Sequence, residues 1–81
     1  MSYKNSLVHN VGTLLEMARA RDTNQGVELY EWTLKRIEEA SSQGEIEILA
    51  DGLRDALAGI EAHGHFTNDE FDVVELIRAM G

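Results

Sequence analysis

The side chains best suited to chemistry in this sequence stand near its C-terminal end. His63 and His65 flank Gly64, and Asp69, Glu70 and Asp72 follow shortly after. Imidazole and carboxylate are ordinary zinc ligands, so a metal-responsive protein would place its ion here. The same residues have a simpler reading. His63 falls in the last turn of a helix, where a cationic ring favours the dipole, and His65 falls in the exposed turn after it. No metal ligand is assigned on this basis. Asp22 and Asn24 also have the alternate spacing of a calcium loop. That loop needs an oxygen ligand at its fifth position and glutamate at its twelfth, where this chain has Gly26 and Thr33.

Nothing marks a nucleophile. Ser2 and Ser6 lie at the start of the chain, Ser41 and Ser42 in a predicted turn, and no glycine-rich phosphate loop is present. Glu38 with Glu39, and Glu45 with Glu47, have the look of paired carboxylates. An acid–base dyad needs a cleft, which so short a helical chain rarely forms. His9 borders an apolar stripe and reads as a boundary residue rather than a general base. The expectation is a protein that binds rather than catalyses, with no cofactor.

Charge says more. The 81 residues carry a net charge of −8, unevenly spread. Up to Arg21 the chain is basic, with Lys4, Arg19 and Arg21 against Glu16. From Glu45 onward, nine acids face only Arg54 and Arg78. Such a field repels nucleic acid and anionic membranes and favours a basic protein surface. No cysteine is present, so disulfides and thiolate metal sites are excluded. No apolar run is long enough to span a membrane. The opening MSYKNS lacks the apolar core of a signal peptide, so a cytoplasmic location is expected.

The elements that position these residues read as helices throughout. Proline is absent, and few residues favour strands. A first helix is predicted over about Tyr3–Arg21, with Ser2 as N-cap and Leu7, Val8, Val11, Leu14, Leu15 and Ala18 on one stripe. Asp22 or Thr23 is expected to cap a second, over about Asn24–Ser41, with Val27, Tyr30, Leu34 and Ile37 inside. Ser42 and Glu45 have capping-box spacing, although Gly44 is an alternative end to the second helix. A third helix, Glu45–His63, buries Ile46, Leu49, Leu53, Ala56, Leu57 and Ile60 and reads as the central one. Gly52 and Gly59, seven apart, suggest a strip where a neighbouring backbone comes close. Gly64 closes that helix in the left-handed conformation. Thr67 and Glu70 form a capping box, with Phe66 and Phe71 as its staple, opening a fourth helix over Asn68–Ala79. The expected fold is all-α: one domain, 1–81, built as a compact bundle of about four short amphipathic helices.

Some apolar residues have no place inside that bundle. Leu29 and Trp32 point roughly 110–170° away from the inner stripe of their helix. Arg36, one turn after Trp32, is placed to lie across its ring. The fourth helix, with Phe71, Val73, Val74, Leu76, Ile77 and Met80, is apolar around most of its circumference. Leu29, Trp32 and Leu76 are therefore the expected apolar contacts with a partner. Glu45, Glu47, Asp51, Asp55, Glu61, Asp69, Asp72 and Glu75 are the expected acidic face.

Together these features predict a small acidic module that binds a protein with a basic surface, and neither nucleic acid nor membrane directly. The expected role is stoichiometric inhibition of a larger nucleic-acid-handling protein or complex. Phage and plasmid inhibitors such as anti-CRISPR and anti-restriction proteins share this composition, though no motif here matches one. One alternative is a structural or regulatory homodimer seamed by Leu29, Trp32 and the last helix. Another is the metal-responsive protein that uses His63 and His65.

Overall fold

A computed structural model describes residues 2–21, 26–64 and 66–80 as four helices: α1 (Tyr3–Ala20), α2 (Val27–Glu39), α3 (Gln43–Ala62) and α4 (Asn68–Ala79). No strand occurs among the described residues. This is the all-α bundle that the periodicity predicts. Its extents are 33 × 21 × 21 Å.

Leu7, Val11, Leu14, Leu15 and Ala18 of α1 are all buried, as their spacing requires. Ser2 caps the helix by accepting a hydrogen bond from the Asn5 N–H at 3.1 Å. Every other helix packs on α1, and α2 and α4 do so most extensively. The centre of the bundle is therefore α1 and not α3. The physical reason lies in the width of the two stripes. Leu49, Ala56 and Ile60 of α3 are only half-buried, and the core residues of that helix are Ile46, Ala50, Leu53 and Leu57.

The second helix starts later than expected. Its N-cap is Gly26, at φ 85°, rather than Asp22 or Thr23. A Cβ at Gly26 would lie 2.8 Å from the Tyr30 ring, so both the backbone angle and the neighbouring ring require glycine. Asp22, Thr23 and Asn24, and with them the calcium pattern, lie outside the described residues. Tyr30, Thr33 and Ile37 are the buried residues of α2. The Thr33 hydroxyl donates to the Leu29 carbonyl at 2.7 Å, which satisfies it inside the core.

Three residues separate α2 from α3, so the two helices are distinct and form an antiparallel hairpin. Ser42 caps α3 through the Glu45 N–H at 3.2 Å. The capping box is only half made, because the Glu45 carboxylate accepts instead from the Ser41 hydroxyl at 2.9 Å and from its N–H at 3.3 Å. Gly44 lies inside the first turn of α3 and does not end α2. Gly64, at φ 70°, closes α3 as expected.

Thr67 and Glu70 form the full capping box, with Thr67 Oγ1 accepting the Glu70 N–H and Glu70 Oε1 accepting the Thr67 N–H. Val73, Val74 and Ile77 bury α4 against α1 and α3. The two neighbours that its wide apolar face demanded are thus found within the chain. Leu76 and Phe71 remain outside.

Candidate partner-binding surface

Two kinds of charged site appear on this scaffold. The first is interior. Glu70 is 1% exposed, and its Oε2 accepts from Arg21 Nη2 at 3.0 Å. The carboxylate that caps α4 thereby also holds the end of α1. Tyr30 stands beside this pair. Burial, reinforced by the Glu70 charge and opposed by Arg21, pushes its phenol up to about 12. Arg54 makes a second tie. Its Nη2 donates to the Tyr3 hydroxyl at 3.0 Å, its Nε to the Ile77 carbonyl at 3.3 Å and its Nη1 to Asp51 at 2.8 Å. The bonds of Arg54 to Tyr3 and Ile77 and of Arg21 to Glu70 join helix to helix and are not available to a partner, whereas Asp51, on the same helix as Arg54, is exposed.

The second kind is exposed. The acids assigned from sequence divide according to whether an arginine holds them. Arg78 binds both Glu61 and Glu75, and the guanidinium beside Glu61 holds its carboxyl below the usual range. Asp51 pairs with Arg54, and Glu45 is turned toward Ser41. Glu47, Asp55, Asp69 and Asp72 are exposed and have no basic partner among the described residues. All five arginines are already engaged elsewhere, by Glu31, Glu70, Glu39, Asp51 and the Glu61–Glu75 pair.

The acids do not form one face. Glu47, Asp51 and Asp55 follow one another at four-residue spacing, so they make a line along the outside of α3. On α4, Arg78 reaches α3, whereas Asp69 and Asp72 lie roughly 120° or more round the helix, on the side shared with Leu76. The second acidic group thus stands apart from the first.

The apolar residues separate in the same way. Leu29 is half-buried against the core. Trp32 is 55% exposed, and the Arg36 guanidinium lies 5.9 Å from its ring centroid, the cation–π contact expected from their spacing. Leu76 is 56% exposed on α4, a helix that does not pack on α2. Trp32 and Leu76 therefore stand on helices that are not in contact with each other.

Sequence reasoning missed the most exposed large apolar side chain, Ile48, at 72%. Its signal was there. Two residues from core Ile46, it must lie about 200° round the helix, opposite the core. Glu45, Ile48 and Leu49 of α3, with Arg36 and Glu39 of α2 and its C-cap Ala40, line an open cavity of about 280 Å³ at the closed end of the hairpin.

The glycine strip is also not as expected. A Cβ built on Gly52 or Gly59 meets nothing within 4 Å, so no described helix lies against either. Both are on the exposed side of α3 that carries Ile48.

No family model, no curated protein and no solved structure matches the chain.

Among the described residues, no group of three His, Asp or Glu side chains is arranged to hold a metal ion. His63 is exposed at the C-cap of α3. His65, on which the metal reading also depends, lies outside the described residues. His9 is exposed on α1, and its carbonyl accepts from the Thr13 hydroxyl. No described helix is long and apolar enough to cross a membrane.

Proposed function

We propose that this protein is a binding module whose partner is a larger protein with a basic surface, and that it acts as a stoichiometric inhibitor. One observation carries the reading. Every arginine is engaged inside the molecule, while Glu47, Asp55, Asp69 and Asp72 face solvent without a cation. Like charges one turn apart on a helix, as at Asp69 and Asp72 on α4, destabilise it by a few tenths of a kcal/mol per pair. A basic partner relieves that repulsion on binding, and its field accelerates encounter. Basic surfaces of this kind belong above all to proteins that hold phosphate backbones. An acidic helical module seated there competes with nucleic acid. This is the role of the anti-defence inhibitors of phages and plasmids, including anti-CRISPR proteins, whose size and charge this chain shares.

Size-exclusion chromatography with light scattering, run at low and high salt with and without host-cell lysate, tests this. The expected result is a salt-sensitive complex with a nucleic-acid-handling protein whose activity falls at a one-to-one ratio. Asp51→Lys with Asp55→Lys should weaken that complex by about tenfold or more at low salt and by less at high salt. A salt-insensitive homodimer with no such partner would overturn the proposal.

A further inference from the structure

The outer groove of the α2–α3 hairpin points to a specific kind of occupant. We infer that it seats an amphipathic, basic helix of the partner. This rests on the binding-module reading and names the site and its ligand.

The groove has the right shape. Its inner side is closed by α1, and no element of the described chain covers its outer side. Two antiparallel helices with an open outer furrow accept a third helix, which docks apolar residues at i, i+3 or i+4 and i+7. The cavity lies at the closed end of the hairpin, and beyond it the 13 residues of α2 offer a span of about 20 Å at 1.5 Å per residue. A partner helix of about four turns fills it.

Its lining is graded for such a ligand. At the closed end, Ala40, Ile48 and Leu49 form the apolar part of the 280 Å³ cavity, with Glu39, Glu45 and Arg36 also lining it. That volume lies below the usual range for small-molecule sites and suits one large side chain. One turn further along each helix come Trp32 on α2 and Gly52 on α3. Gly52 offers bare backbone, so a helix can approach closely there while Trp32 covers its flank.

Charge chooses the occupant. The α2 segment holds Glu28, Glu31, Glu38 and Glu39 against Lys35 and Arg36, and α3 holds five acids against Arg54. Arg36 is drawn over Trp32 and toward Glu39 at 3.8 Å, and Arg54 is turned toward α1 and α4. Of the acids on the outside of α3, Asp55 borders the Ile48 side of the groove, whereas Glu47 and Asp51 turn toward the side that Arg54 and Glu61 share with α4. A second copy of this chain would bring its own excess of acids against these. A helix with lysine or arginine along both edges of an apolar stripe complements them.

Trp32 is the only tryptophan, so its fluorescence reports on this groove alone. The probe is a synthetic 15-residue helical peptide, a length of about four turns, with leucine at i, i+3, i+7 and i+10 and lysine elsewhere. Saturable binding with a blue shift is expected. Affinity should fall about tenfold or more for the same composition in scrambled order, and likewise for Ile48→Asp, whose fold is checked by circular dichroism. Equal response to the scrambled peptide, or unchanged affinity in Ile48→Asp, would overturn the inference. So would a concentration-dependent blue shift without peptide, which would assign the groove to a second copy. The two proposals fail separately. A lysate complex that survives Ile48→Asp removes the groove and leaves the inhibitor reading. Peptide binding without any nucleic-acid-handling partner does the reverse.

Discussion

The junction of α1 with α4 and the outer face of the α2–α3 hairpin use the same residue types in opposite ways. At the junction, Arg21, Glu70 and Tyr30 are brought together where three helix ends meet, and Glu70 is almost wholly buried. It serves at once as cap, ion-pair partner and neighbour of a buried phenol. On the hairpin, Glu47 and Asp55 touch no cation, Trp32 and Ile48 face solvent, and Gly52 is bare. Groups that hold a fold together satisfy one another. The groups on the hairpin, which we propose serve a partner, are left unsatisfied, at a small cost in stability. Substitutions in the two regions should therefore affect different observables.

The largest effect belongs to the junction. Glu70→Ala removes the reciprocal cap of α4 and leaves Arg21 without its carboxylate. Loss of a cap costs about 1 kcal/mol, and breaking a buried pair about 3–5 kcal/mol. Arg21 is about one-third exposed and can turn to water, which reduces the second figure. A total of about 2–4 kcal/mol is expected in urea unfolding, a large share of what a domain this small possesses. Peptide binding to the groove at temperatures where the variant remains folded should be unchanged. A loss below about 0.5 kcal/mol would show that the junction does not hold the helices together.

Next in size is an alkaline transition. The Tyr30 phenol is raised from its ordinary value near 10 to about 12 in the folded protein. The folded state therefore holds the proton more tightly than the unfolded one. Its contribution is fully present below pH 10 and is lost as pH rises from 10 toward 12. The loss amounts to about 2 kcal/mol at the upper end. Urea unfolding across that window should show the decline in the natural chain, and Tyr30→Phe should remove this part of it. An identical decline in the variant would show that Tyr30 is not the group responsible.

Most of the fold was legible because it was written in local signals. The stripe on α1, the cap at Ser2, the box at Thr67 and Glu70 and the stop at Gly64 each depend on residues a few positions apart. What the sequence concealed depends on residues far apart. Glu70 reads as a cap from Thr67 alone, and only the return of α4 to the end of α1 makes it the partner of Arg21. Arg54 reads as a solvated base, yet it ties α3 to Tyr3 and Ile77. The acidic face divided for the same reason, since the choice of carboxylates that arginines neutralise is made by tertiary contacts. Ile48 differs. Its position was available from periodicity alone, but it does not belong to the apolar stripe that periodicity is used to find.

The smallest effect separates the two regions most directly. Gly52 and Gly59 lie inside α3, where glycine costs about 1 kcal/mol relative to alanine, and a Cβ on either meets open space. Each change to alanine should therefore stabilise the chain by about 0.5–1 kcal/mol. Their effects on the groove should differ. Gly52 is one turn from Ile48 and level with Trp32, beneath the middle of the proposed helix. Gly59 is nearly two turns further along α3, level with the start of α2. Gly52→Ala should then stabilise the fold and still weaken the leucine–lysine peptide several-fold, while Gly59→Ala gains the same stability with little change in binding. Equal peptide affinity in both variants would mean that the bare backbone at Gly52 is not approached by the ligand. Weaker binding in Gly52→Ala alone would mean that this glycine is kept, against the preference of its own helix, for a surface the chain does not itself supply.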